Sequence, residues 1–276
     1  MGILYVVATP IGNLEDVTFR AVRVLGEVSL IAAEDTRTTR KLLSHYELKT
    51  QLTSYHEHNE KAKTPFLLGV LKERDVALVS EAGMPGISDP GHELISKAIE
   101  AGIRVIPIPG PSAVTAAIAI AGFDCREFVF LGFLPRKQSQ RRQLLQSVVE
   151  ESKTLLFLET PHRLLDSMRD MADILKNRRI AVCRELTKIH EEVFRGTLLE
   201  AVEHFTSPRG EFTLVVEGAK ASEADKQIVS EDDLLKLASQ LRSEGLSTQE
   251  ALARIKSQGG VTRGEAYKAW TKAKPK

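Results

Sequence analysis

The chain has 276 residues, of which 42% are hydrophobic and 27% charged, and its formal net charge is +1. That balance describes a folded globular protein with room for two ordinary domains, and it excludes intrinsic disorder. It also excludes a bulk polyelectrolyte attraction for nucleic acid, so any positive surface must be local.

The chain begins MGILYVVATP, which lacks the basic n-region of a signal peptide and reads as a first strand, LYVVA at 4–8. LIAAE (30–34), VALVS (76–80) and RVIPI (104–108) are further short strand-like runs. Between them DVTFRAVRVLGEV, TRTTRKLLSHY and the segment 89–102 show helical spacing. Near-continuous apolar strands separated by helices predict a largely parallel sheet covered on both faces. After Pro111 the pattern repeats through SAVTAAIAIAG, FVFLGF, QRRQLLQSVVEE, TLLFLE, HRLLDSMRDMADIL, RIAVCREL and FTLVVEG. A second sheet of more mixed order is expected, with EVFRG and FTLVVEG as neighbours. The division is placed near 112–124, giving α/β domains over 1–115 and 116–220.

Cys125 and Cys183 are far apart with no CxxC pairing, which argues against a disulfide framework or a zinc site and for a reducing compartment. The segment AKASEADKQ (219–227) reads as a polar linker. Beyond it, 230–276 reads as a small helical extension, its helix starts marked by Ser230 with Asp233, Ser247 with Glu250, and Thr262 with Glu265. From Arg254 to Lys276 it holds seven Lys/Arg against one Glu. No apolar run approaches the roughly 20 residues of a membrane span, so the expected location is the cytoplasm.

In a parallel sheet the C-terminal strand ends share one rim, where ligands bind. Four loops qualify: TPIGNLED (9–16), EDTRTTR (34–40), SEAGMPGISDPG (80–91) and PGPSAV (109–114). Asp89-Pro90 and Gly110-Pro111-Ser112 read as helix starts with proline near the first position, where backbone N–H groups are free for a ligand. Neither GxGxxG nor GxxxxGK[ST] occurs in these loops, which argues against a phosphate loop. His56-Glu57-His58 lacks further ligands at metal spacing, so no metal is expected. His162, after Pro161, reads as a capping or packing residue or a substrate contact. Trp270 and Tyr267 read as core of the extension rather than a base-stacking platform.

The collinear motifs TPIGNLEDVTFRA, AAEDTR, SEAGMPGISDPG, PGPSA, GFLPRK, ETPHRLL, RELTK and GEFTLVVEG resemble those of the bacterial 16S ribosomal RNA cytidine 2′-O-methyltransferases. That family is a branch of the tetrapyrrole-methylase-like, class III, S-adenosylmethionine-dependent methyltransferases. The likeness covers about residues 3 to 218, and the tail resembles the family's helix-turn-helix-like extension. It implies two αβα domains with a cofactor cleft between them, a homodimer, and 2′-O-methylation of a decoding-centre cytidine, with the RNA in the assembled small subunit. Carried over by position, Pro10 would lie against S-adenosylmethionine, and Glu81, Gly83 and Met84 would line its methionine and ribose side. Ser112 and Ala113 would bind beside the methionine part. Leu158, Glu159, Glu211, Phe212 and Thr213 would come from the second domain around the adenine. Glu81 stands where the family usually has Asp, and Gly86 where it has a larger apolar residue.

Methyl transfer to a ribose hydroxyl is an in-line displacement that gains from alignment and from a base or alkoxide stabiliser. Glu34, Asp35, Arg37, Asp89 and Lys188 are the rim candidates, with Asp35, Arg37 and Lys188 foremost. Arg37 cannot be a base but can hold a phosphate. Lys188 serves as a base only if burial or nearby cations lower its pKa. In PRKQSQRR, the cations Arg136, Lys137, Arg141 and Arg142 have no acid among them, which points to RNA backbone; Lys176-Asn177-Arg178-Arg179 and the tail add positive charge. Two other readings remain open: a same-fold methyltransferase acting on a tetrapyrrole or a protein residue, and a non-catalytic RNA-binding assembly factor.

Overall fold

The structure, a computed structural model, describes residues 1–220, 231–256 and 263–273. Met1–Gly218 form one compact unit and Ala219–Lys276 a second. In the first unit, β1 (Ile3–Val7), β2 (Leu30–Ala33), β3 (Leu52–Ser54), β4 (Val76–Val79) and β5 (Arg104–Ile108) make an all-parallel sheet in the order β3-β2-β4-β1-β5. The crossovers are α1 (Phe19–Glu27), α2 (Thr36–His45), α3 (Glu60–Leu71) and α4 (His92–Glu100).

Period-two alternation sends successive strand residues to opposite faces. Val7, Ile31, Ala33, Ala77 and Val79 pack on Ala21, Val24 and Leu25 of α1 and Leu42 and Leu43 of α2. Leu4, Ala32, Val76 and Leu78 pack on Leu67 and Leu71 of α3 and Leu94 and Ala98 of α4. Helices on both faces explain why all four residues of β4 are buried. Between Tyr46 and Val76 the sequence pattern predicts no element. There β3 has only three residues, and Pro65 sits inside α3.

The second sheet is built from β6 (Phe128–Phe133), β7 (Thr154–Glu159), β8 (Arg179–Arg184), β9 (Glu192–Thr197) and β10 (Phe212–Val216), with α5 (Ala113–Ile120), α6 (Gln138–Ser147), α7 (Leu164–Ile174) and α8 (Leu198–His204). Its order is β6-β7-β10-β8-β9, with β6 parallel to β7 and the other pairs antiparallel. The expected pairing of EVFRG with FTLVVEG is therefore corrected: β10 lies between β7 and β8, and β9 is the edge beyond β8. Every residue of β10 is buried, which suits the centre, whereas β9 is only half-buried and carries Glu192 and Arg195.

One face of this sheet packs on α6, α7 and α8 through Leu155, Phe157, Ile180, Val182, Leu214 and Val216. On the other, Leu156, Ala181, Cys183 and Val215 meet Ala117 and Ala121 of α5, together with Ile11 from the loop after β1. The helix that leaves the first sheet thus covers the second, and Ile11 joins the same apolar cluster.

In the second unit α9 (Glu231–Ser243), α10 (Thr248–Lys256) and α11 (Arg263–Lys272) enclose Leu234, Ala238, Leu241, Ala251, Ala269 and Trp270. Trp270 is core, its Nε1–H donating to Thr248 Oγ1 at 3.2 Å, and Tyr267 is exposed. The Ser247–Glu250 capping pair forms, with Ser247 N donating to Glu250 Oε2 at 3.0 Å and Glu250 N donating back to Ser247 Oγ at 3.4 Å. The other two cap pairs depend on Ser230 and Thr262, which with most of the 219–227 linker lie outside the described residues. Among the described residues no helix is long and apolar enough to cross a membrane.

Candidate functional site

Because the first sheet is all parallel, the loops after β1, β2, β4 and β5 emerge on one rim. Two of them are joined: Thr9 N donates to Gly83 O at 2.9 Å and Gly83 N donates to Thr9 O at 3.0 Å. Gly83 and Gly86 both have φ of +81°, a left-handed conformation that side-chain-bearing residues resist. That is a physical reason for glycine at 86, where a larger residue was the family expectation. Two helix starts are corrected. α4 begins after Gly91, leaving Asp89-Pro90 in the loop, and α5 begins after Ser112, leaving Pro111 ahead of the cap. Ser112 makes no side-chain cap hydrogen bond, so the first N–H groups of α5 remain available to a ligand.

The rims of the two sheets enclose a cleft of about 320 Å³, within the range of small-molecule sites. All four predicted loops contribute: Ile11 after β1, Glu34 after β2, Glu81, Gly83, Met84 and Asp89 after β4, and Ser112 and Ala113 after β5. The second sheet adds Phe133, Leu158, Glu159, Cys183 and Glu211 with Phe212 and Thr213. β10 runs against its neighbours, so its first residues lie beside the last of β7 and β8: Phe212 pairs with Glu159 and Arg184, and Thr213 with Leu158 and Cys183. Ten of the eleven positions carried over for the cofactor therefore line one cavity. The exception is Pro10. Thr9 and Ile11 are buried and Pro10 between them is partly exposed, so Ile11 supplies the wall. Ile11, Leu186 and Val114 were missed because each reads as ordinary core beside a motif.

Glu34, Glu81 and Asp89 share the first-sheet side of the cleft, and none takes part in the ion pairs found among the described residues. Glu34 Oε2 accepts from Glu81 N at 3.0 Å. Burial, then the charge of Glu34, pushes the Asp89 carboxyl up to about 7 against an opposing hydrogen bond from Ser80. Glu159 is treated differently. It is 2% exposed and accepts from Thr160 N at 2.8 Å and Ser167 Oγ at 2.5 Å, with Arg163 at 3.5 Å. Cys183 is a buried free thiol, pushed by burial up to about 11 and so inert at neutral pH.

The three foremost catalytic candidates lie off the cleft wall, and two fail as bases. Asp35 caps α2, accepting from Arg37 N at 2.7 Å, and the Arg37 guanidinium holds its carboxyl at about 2. Arg37 stays exposed beyond that pair. Lys188 Nζ contacts Glu185 Oε1 at 2.8 Å and Glu211 Oε2 at 3.0 Å. Burial works to lower its pKa, but the two carboxylates outweigh it and the net shift is upward, so Lys188 is a firm cation.

The basic run is also divided by the fold. Arg136 and Lys137 are exposed. Arg141 is 5% exposed and bound to Asp170 at 2.7 Å, which removes it from any RNA-facing surface. Arg142 is half-exposed and bound to Asp170 at 2.7 Å and Asp173 at 3.1 Å, so it too is committed within the protein. The acids absent from PRKQSQRR arrive from α7. His162 is exposed beside the cleft residue Pro161. Among the described residues no three His, Cys, Asp or Glu side chains form a metal-binding group.

Residues 3–202 match the family model described as tetrapyrrole (corrin/porphyrin) methylases. Over 271 residues the chain is 48% identical to ribosomal RNA small subunit methyltransferase I of Halalkalibacterium halodurans, covering 96% of this chain and 93% of the relative. It is 47% identical over 271 residues to the protein of the same name from Synechocystis sp., covering 97% and 96%. Among solved structures, the methyltransferase CobJ superposes with a TM-score of 0.61 at 19% identity, over 79% of this chain and 95% of that one, a likeness of fold alone.

Proposed function

The chain belongs to the tetrapyrrole (corrin/porphyrin) methylase family, and from that premise we propose that it is an S-adenosylmethionine-dependent methyltransferase acting on the RNA of the small ribosomal subunit. The near-full-length likeness to two ribosomal RNA small subunit methyltransferases supports RNA over a tetrapyrrole as acceptor. The acceptor atom in this reading is the ribose O2′ of a decoding-centre cytidine. The active form is a cytoplasmic homodimer working on the assembled subunit, with α/β domains over 1–115 and 116–220.

The observation that supports the reading is the convergence of loops from both sheets on one cleft. A methionine carboxylate suits the uncapped N–H groups at Ser112 and Ala113. A sulfonium cation suits a wall holding Glu34 and Glu81, and an adenine suits Leu158 and Phe212. The donor, when bound, supplies an electrophilic methyl carbon. The chain's own residues then have to align the acceptor, exclude water and take its proton. Asp89 is the proton acceptor in this proposal, because a carboxyl with a pKa near 7 is half-ionised at the working pH. Arg136 and Lys137 are the candidate cations left to hold RNA phosphates, because Arg37, like Arg142, is already paired to a carboxylate.

The test has two arms. Titration calorimetry measures S-adenosylmethionine binding, and nucleotide mapping compares small-subunit RNA from cells with and without the protein. Micromolar binding and one missing 2′-O-methyl cytidine are expected. No binding at millimolar cofactor points instead to a non-catalytic RNA-binding assembly factor.

A further inference from the structure

The loop after β8, residues 185–191, touches both sides of the cleft mouth. Glu185 and Thr187 hold left-handed backbone, with φ of 49° and 67°. Such conformations persist where the surroundings over-determine them. Here Glu185 Oε1 accepts from Lys188 Nζ at 2.8 Å and from Glu211 N at 2.9 Å, while Glu185 N donates to Glu211 O at 3.0 Å. Lys188 Nζ also reaches Glu211 Oε2 at 3.0 Å. Thr187 N donates to Glu191 Oε2 at 2.6 Å. On the opposite side, Asn13 N donates to Thr187 Oγ1 at 3.0 Å. A Cβ on Gly12 would overlap the Lys188 stem, so the backbone after β1 lies directly on that side chain.

These contacts form one continuous path. Gly83 is hydrogen-bonded to Thr9, and Ile11 lines the cleft. Gly12 and Asn13 then rest on Lys188 and Thr187, and Lys188 is tied to Glu211, which begins the wall continued by Phe212 and Thr213. We propose that Lys188 is a positioning residue, an ion-paired latch that sets the spacing between the loop after β1 and the start of β10, and with it the fit of the methyl donor. The inference rests on the functional reading above only in taking the cleft as the donor site. Lys188 acts through Glu211 and Gly12, with its ammonium neutralised and its stem packed.

The experiment compares S-adenosylmethionine affinity by calorimetry and steady-state methylation of small ribosomal subunits across four full-length proteins. Lys188→Ala is expected to weaken donor binding at least tenfold and to raise the donor KM more than it lowers kcat. The salt dependence of RNA binding and the pH profile should not change, which separates a latch from a phosphate contact or a base. Lys188→Arg should recover most of the donor affinity. Gly12→Ala should weaken donor binding similarly while leaving every charge in place. Circular dichroism on each variant separates a loosened cleft from a chain that fails to fold, and Gly12→Ala supplies the answer if Lys188→Ala does not fold. Wild-type donor affinity in folded Lys188→Ala or Gly12→Ala overturns the latch. Absence of donor binding by the wild-type protein overturns the functional reading instead.

Discussion

Two groups of carboxylates, one in the cleft wall and one at its edge, are treated oppositely. On the first-sheet side, Glu34, Glu81 and Asp89 share the cleft wall and none is in an ion pair found among the described residues, and Asp89 is pushed up to about 7. On the second-sheet side, Glu185 and Glu211 share Lys188. Burial opposes ionisation of Glu185, but Lys188 and the Glu211 N–H outweigh it and its carboxyl is held below the ordinary value. Burial and then the Glu34 charge raise Asp89, whereas the Lys188 ammonium and the Glu211 N–H lower Glu185. Asp89 is thereby poised for proton transfer, and Glu185 is framework.

The largest effect that tests this contrast is at Asp89. Asp89→Asn should lower single-turnover methylation by about 10²- to 10⁴-fold, the usual worth of a positioned base. The same substitution should raise stability at pH 8 by on the order of 1 kcal/mol, because it removes a partly buried charge from beside Glu34. Activity and stability thus move in opposite directions, which chemical denaturation alongside the rate measurement would reveal. A normal rate in Asp89→Asn ends the assignment of Asp89 as base.

Breaking a neutralised acid should do the reverse. Asp170 is 3% exposed and is ion-paired to Arg141 and Arg142. Asp170→Ala strands the buried Arg141 and should cost roughly 3–5 kcal/mol in denaturant unfolding. Methylation by the fraction that stays folded should be near normal.

The pH dependence sharpens the comparison. Between the ordinary 3.8 and about 7, the folded protein keeps a proton on Asp89 that the unfolded chain releases. This contribution to stability is therefore complete below 3.8 and is lost as pH rises through 7. Glu185 contributes with the opposite sign: its share is complete above 4.5 and is lost as pH falls through its lowered value. Initial rates should climb about tenfold per pH unit up to about 7 and then level off. A flat profile from pH 5.5 to 8 contradicts a base at Asp89.

How much of this the sequence discloses depends on the range of the interactions. The four rim loops were legible, because strand ends and Gly–Pro punctuation are local signals; the ten carried-over positions that line the cleft came from the family resemblance and not from those signals. Even there, locality had limits. Asp89-Pro90 looks like a helix start, but Gly91 and not Asp89 caps α4. What escaped was non-local. Lys188 has Glu185 beside it in RELTK, but its second partner, Glu211, lies 23 residues on, and Arg141 reads as free until Asp170 arrives from 29 residues away. The central place of β10 was hidden for the same reason, since strand order is set by burial across the sheet and not by adjacency in the chain.

The smallest effect concerns the cations, where the same division recurs. Arg136 and Lys137 are exposed, and among the described residues neither appears in an ion pair, while Arg141 and Arg142 five residues on are consumed by Asp170 and Asp173. If RNA phosphates are held by cations that the fold leaves unspent, the Arg136→Ala, Lys137→Ala double variant should release about two fewer counterions on binding. The slope of log affinity against log salt should then be shallower by about 1–2. Arg142→Gln, by contrast, should leave the slope unchanged, because that charge is already neutralised within the protein. Filter binding to small-subunit RNA between 50 and 300 mM salt, on the order of a Debye length of 6–14 Å, resolves a slope change of that size. An equal change in both proteins would mean that ion pairing inside the fold does not decide which cations meet RNA.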